Sequence, residues 1–260
     1  MAFIETLSNS LRPFSFRGKA RLLHKFCPRS AEKSANIFGY EIKLDLADYI
    51  QRSVYLGAFE PVESRQVRSY LKGGMTFVDV GANVGYYTLM AASLVGEAGR
   101  VISFEPSPYA FARLQETIFH NRLSTVHLVQ AGLGDVAGEV ELCMPVPGNH
   151  TPSMVPQEGG RPIQVPVVRL DDYLEQNNID EVHLMKIDVE GFEPNVINGS
   201  LRHLREGKIR AILCEFNSDW LSANDSSSLS LFNMILDCGF KCRKALDPSA
   251  SLQNLFFTFA

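Results

Sequence analysis

The sequence predicts an α/β protein: a mostly parallel sheet with helices on both faces and an antiparallel pair at its C-terminal end. Three observations predict this. From residue 75 onward, short apolar runs alternate with longer helical runs, which is the pattern of repeated strand–helix–strand units. The strand-like runs are apolar and β-branched, as strands buried on both faces are. The last two, "GFKCRKAL" and "SLQNLFFTFA", flank the Pro-containing turn "DPSA", which favours antiparallel pairing.

Each element has its own local reason. "MTFVDVG" (75–81) is the first strand, ended by Gly81, and "YYTLMAASLVG" is a helix stopped at Gly96. "GRVISFEP" is the second strand, ended by Pro106. In "SPYAFARLQETIFHN", Ser107 is a candidate N-cap with Pro108 at the first helical position. "TVHLVQAG", "VHLMKIDV" and "IRAILCEF" are the third, fourth and fifth strands, and "EPNVINGSLRHLREG" (193–207) is one helix between the last two. Residues 138–169 break the rhythm: "GEVELCMP" and "IQVPVVRL" surround a Pro- and Gly-rich centre, as an inserted hairpin or flap with a long tip would. The expected organisation is an N-terminal cap or extension over 1–55, holding the strand "GYEIKLDL", and a main domain over 56–260 carrying the flap.

Composition limits the function. The chain has 260 residues, 21% charged, with a net charge of −4, which argues against a general nucleic-acid binder. Residues 1–36 differ, with seven Lys/Arg against two acids; this stretch is expected to be a basic, partly helical lead-in rather than a transit peptide. Five cysteines without paired short spacings read as reduced thiols of a cytoplasmic protein. No apolar run is long enough to span a membrane, and a secretory signal is not expected. Oligomeric state is not legible.

The chemistry gathers after the first and fourth strands. Ligands of an open parallel sheet bind at the carboxyl ends of its strands, where Asp79-Val80-Gly81-Ala82-Asn83-Val84-Gly85 lies. A dinucleotide loop would need a second glycine where Asn83 stands, and a Walker loop would need G-K-[ST]. Asp79, buried near a helix N-terminus, would repel a phosphate and attract a cationic ligand. S-adenosylmethionine, with an ammonium and a sulfonium, suits it. Glu105, ending the second strand, can accept from both hydroxyls of a ribose.

Four stretches, "FVDVGANVGYYT", "VISFEPSP", "VVRLDDYL" and "LMKIDVEGFEPNVINGS", together resemble the FkbM-type S-adenosylmethionine-dependent methyltransferases. "GAFEP" at 57–61 is similar to the segment that precedes the first strand there. The resemblance runs from about residue 55 to 217, and nothing in residues 1–50 adds to it. It implies a Rossmann-like class I methyltransferase fold, with a seven-stranded, mostly parallel sheet and a reversed C-terminal strand. It also implies methyl transfer to a hydroxyl of a sugar, glycoconjugate or secondary metabolite. Carried over residue by residue, Asp79, Gly81, Asn83 and Gly85 would lie beneath the methionine part. Glu105, with Pro106 beside it, would hold the ribose. Gly132 to Asp135 would flank the adenine, with Asp135 accepting from its amino group. Glu60 would help close the pocket.

By strand period, Lys186, Asp188 and Glu190 point one way, with Lys186 expected to pair with Asp79 or Glu215. A carboxylate at this tip is the natural base for a hydroxyl proton. Asp188, also a neighbour of the cofactor, is the first candidate, Glu190 the second, and Glu193 a third that could instead cap the next helix. Asp188, Glu215 and Asn217 could hold Mg²⁺, but no metal is the favoured expectation. Phe192, Tyr86 and Tyr87 could wall the sulfonium. His150 and Ser153 in the flap tip could touch the acceptor, and His183 lies at the far end of its strand. A nicotinamide-dependent oxidoreductase and a non-catalytic binding subunit are the alternatives; Asn83 argues against the first, the acids at 186–193 against the second.

Overall fold

The computed structural model describes Cys27, residues 32–144 and residues 161–260. Most of the basic lead-in and the flap tip with His150 and Ser153 lie outside the described residues. The main sheet takes the order β11-β12-β10-β9-β3-β4-β5. Its centre is β3 (Thr76–Val80), β4 (Arg100–Phe104), β5 (Val126–Val129), β9 (Leu184–Ile187) and β10 (Ala211–Asn217). Within this group every adjacent pair is parallel. β12 (Leu252–Phe259) runs antiparallel both to β10 and to β11 (Phe240–Cys242). This is the class I methyltransferase fold, reversed strand included.

Alternate residues explain why both faces carry helices. Val78, Ile102, Met185 and Ile212 belong to one buried cluster, and Phe77, Val101, Leu184 and Leu213 to another on the opposite face. The second face is covered by α2 (Pro61–Tyr70) and α3 (Tyr86–Val95), through Val67, Met90 and Val95 among others. The first is covered by α5 (Leu170–Gln176), α6 (Glu193–Asn198), α7 (Leu201–Arg205) and α9 (Ser228–Asp237).

The expected single helix over 193–207 is two. The Gly199 carbonyl accepts from the Asp171 backbone N–H at 3.0 Å. A Cβ at Gly199 would collide with the Gly134 carbonyl, so the chain breaks where two segments press on it. No element was expected over 218–237, yet α8 (Ser218–Ala223) and α9 fill it. Asn217 and Ser227 are their N-caps, accepting from the Trp220 and Ser230 backbone N–H groups.

Two smaller pieces frame one edge. β7 (Gly138–Met144) and β8 (Arg161–Val168) form an antiparallel hairpin, with β6 (Gly132–Leu133) parallel to β8. β1 (Glu32–Ile37) and β2 (Tyr40–Asp45) form another, turning at Phe38 and Gly39 with φ 57° and 95°. That hairpin lies on α4 (Pro108–His120): Lys43 pairs with Glu116, and Arg113 with Glu32. The short helix α1 (Tyr49–Tyr55) packs beside β2. No helix among the described residues is long and apolar enough to cross a membrane.

Candidate active site

A cavity opens at the carboxyl ends of the central strands. Of the residues expected to bind cofactor, Asp79, Gly81, Asn83, Glu105, Pro106, Gly132 and Asp188 line it, as does Glu190. The strand order reverses at β3, so the loops after β3, β4 and β9 converge there.

The loop after β3 is shaped by backbone rather than side chains. Gly81 has φ 82°, and a Cβ on it would run into the Asp188 carbonyl. Gly85, at φ 95°, is pressed against Leu114 instead, so it shapes the loop without lining the cavity. Asn83 has φ 50°; this left-handed conformation is one that Asn tolerates better than most residues. Its backbone N–H donates to Glu105 Oε2 at 2.7 Å, and the Ser107 N–H donates to Oε1 at 2.8 Å. Glu105 is therefore fixed at both oxygens, each with acceptor capacity left over. Burial pushes its carboxyl up to about 7, against the pull of those two N–H groups.

Asp79 is 1% exposed and accepts from Thr88 Oγ1 at 2.6 Å; Thr88 in turn bonds Ser103 at 2.8 Å. Its carboxyl is raised by burial and pulled back by Lys186. The expected partner of Lys186 is corrected: its ammonium donates to Asp188 Oδ2 at 2.7 Å and sits 4.7 Å from the centre of the Tyr87 ring. β9 ends at Ile187, so strand period does not extend to Asp188 and Glu190. The chain turns there, with Glu190 at φ 51° and Gly191 at φ 95°. That lets Asp188 fold back onto Lys186. Burial, then Asp188, pushes Glu190 up to about 8.

Four expected residues stand elsewhere. Glu193 does not line the cavity: it is 1% exposed, and its Oε1 accepts from the Val189 and Gly191 N–H groups at 3.1 and 3.2 Å. It clamps the turn that presents Asp188. Asp135 does not line the cavity; its Oδ1 accepts from Asn195 Nδ2 at 3.3 Å. Asn217 is committed to the α8 cap. Glu60 is not on the cavity wall, though its neighbour Phe59 is. Its Oε2 accepts from the Tyr87 hydroxyl at 2.5 Å, and it meets Asp188 and Glu215.

Tyr86, Tyr87 and Phe192 do line the cavity, but one face of Tyr87 is taken by Lys186. His183 Nδ1 accepts from the Thr76 N–H, at the opposite end of the sheet. Sequence reasoning missed Ile50 on α1, Phe59 and Leu142 on the hairpin, all cavity-lining. Their apolar character carried no signal distinguishing them from core.

A parallel sheet with this reversed strand, bearing acids and a glycine loop at its carboxyl edge, defines the class: a methyltransferase-fold domain. The profile of the methyltransferase FkbM domain matches residues 79–242. The chain belongs to that family. Similar curated proteins include "Methyltransferase 1" of Beauveria bassiana, 31% identical over 142 residues, covering 47% of this chain and 57% of that protein. The "Hexuronic acid methyltransferase AglP" of Haloferax volcanii is 30% identical over 128 residues, 49% of this chain and 50% of that protein. The "31-O-demethyl-FK506 methyltransferase FkbM" of Streptomyces tacrolimicus is 28% identical, covering 50% of this chain and 60% of that protein. The chain thus spans between half and three-fifths of these relatives' length.

Proposed function

We propose that this protein is an S-adenosylmethionine-dependent O-methyltransferase acting on a hydroxyl of a sugar, glycoconjugate or other small molecule. The observation that carries the reading is Glu105: a buried carboxylate, locked by two backbone N–H groups, facing a cavity floored by the Cβ-free Gly81. The residues fit the cofactor. Glu105 has acceptor capacity for a ribose diol, Gly81 brings bare backbone to the cavity wall with the Asp188 carbonyl packed against it, and Asp79 offers negative charge to a cationic methionine end. Pro106, Phe104 and Leu133 supply apolar wall for an adenine. S-adenosylmethionine supplies the electrophilic methyl group when bound.

The protein's own work is positioning and proton removal. Asp188 is the base: it lines the cavity, and Lys186 fixes its orientation. It takes the proton of the acceptor hydroxyl as that oxygen becomes the nucleophile. Glu190, on the same turn, is the second candidate. The acceptor class rests on two relatives whose names refer to a hexuronic acid and to a 31-O-demethyl compound. The domain reading, a cap over 1–55 and a catalytic domain over 56–260, belongs to this proposal, as does action in the cytoplasm. Asp188→Asn tests it. This variant should bind adenosylhomocysteine as the wild type does, yet transfer no methyl group to a panel of sugar, glycoconjugate and secondary-metabolite hydroxyls. Unchanged turnover would remove Asp188 from the chemistry.

A further inference from the structure

Glu60, Asp188 and Glu215 come from three separate segments: the residue before α2, the turn after β9, and β10. One carboxylate oxygen from each lies within 4.8 Å of the other two. Glu215 is the informative member. It is 9% exposed, its carboxylate is directed into this group, and no hydrogen bond or salt bridge reaches that carboxylate among the described residues. A carboxyl buried in this way keeps its proton unless a cation compensates the charge.

Lys186 is the nearby cation, and its ammonium is committed to Asp188 and to the Tyr87 ring. It also has Glu60 and Asp79 to balance. Positive charge is therefore short at the point where the three oxygens converge. Glu60 is held ready: the Tyr87 hydroxyl fixes its Oε2, and its backbone is left-handed at φ 37° just before Pro61. Hard oxygen donors from rigid, separate segments suit a hard divalent cation that keeps some positions for water or substrate oxygens.

We propose that Glu60, Asp188 and Glu215 bind one divalent cation of the Mg²⁺ or Mn²⁺ type. This site takes Glu60 where the sequence suggested Asn217. Its use rests on the methyltransferase reading: an ion beside Asp188 would ligate an oxygen of the acceptor and make its hydroxyl easier to deprotonate.

The test is titration of chelator-stripped full chain with Mn²⁺, reading the electron paramagnetic resonance signal of the free ion. The expected result is one Mn²⁺ taken up per chain, displaced by Mg²⁺. Glu215→Gln and Glu60→Gln should each weaken uptake by about tenfold or more, with thermal melting showing that both variants fold. No uptake up to about 1 mM, the weak end of such sites, would overturn the proposal. Uptake unchanged in both variants would also overturn it, because the ion would then sit elsewhere. Adenosylhomocysteine is titrated separately, without metal. Nucleoside binding without Mn²⁺ uptake sinks the cation site alone. Mn²⁺ uptake lost in the variants supports the cation site even where the nucleoside does not bind.

Discussion

Gly81 holds φ 82° with the Asp188 carbonyl where its Cβ would be. Gly81→Ala therefore faces both a disfavoured backbone and a collision with main chain, which cannot swing aside. It should cost about 1–3 kcal/mol of stability and abolish adenosylhomocysteine binding; a variant that binds normally would contradict the floor assigned to this loop. Glu105→Ala should weaken adenosylhomocysteine by roughly 10- to 100-fold, the worth of hydrogen bonds to a charged group, as calorimetry would read it. Both residues were legible in the sequence because each sits at a fixed offset from the end of a strand. Glu193 was legible only as an acid near the chemistry. Its role as a clamp depends on a turn at 188–191 that strand periodicity does not show. The meeting of Glu60 with Glu215 was not legible at all, since 155 residues of chain separate them.

Ties between elements hold the helices of one face to each other. Asp171, at the start of α5, accepts from the Arg202 and His203 backbone N–H groups and from the His203 ring, at 3.0, 3.1 and 2.7 Å. It is nearly fully buried and anchors α5 to α7. Asp171→Asn removes the charge and turns an amide toward these donors. It should lower stability by about 2–4 kcal/mol, measured by urea unfolding; a change under about 0.5 kcal/mol would show the tie to be incidental. This gives the "RLDDYL" stretch a structural meaning that its spacing alone did not reveal. The split at Gly199 was hidden for a related reason: helical periodicity continues through it, and only the packed Gly134 carbonyl interrupts it. Helices α8 and α9 went unread because their polar, Ser-rich starts look like loop, although those same residues are the caps.

Across the whole molecule, the parallel sheet, its burial on two faces and the antiparallel C-terminal pair followed from alternating apolar runs and one Pro-containing turn, while the seven-stranded sheet with its reversed strand was implied by the family resemblance. What patterning could not supply was the set of walls contributed by α1 and the β7–β8 hairpin, which reach the cavity through tertiary packing. Buried acids leave a global signature. Burial pushes Glu105 and Glu193 both up to about 7, against roughly 4.3 in an unfolded chain. Between these values the folded chain keeps protons that the unfolded chain releases. Their stabilisation is complete below about pH 4 and is lost as pH rises through about 7. The free protein should then be less stable at about pH 8.5 than at about pH 5.5, by on the order of a few kcal/mol. Urea unfolding at the two pH values checks this, and stability that holds or rises would contradict the burial of these groups.

The central claim is that the cavity at the carboxyl edge of β3, β4 and β9 holds the nucleoside of S-adenosylmethionine. Titration calorimetry of the full chain with adenosylhomocysteine tests it most directly, with NAD as the comparison ligand. The account predicts one adenosylhomocysteine bound per chain, weakened in Glu105→Ala, and no heat from NAD. No binding of adenosylhomocysteine at high micromolar concentration, or preferential binding of NAD, would contradict it.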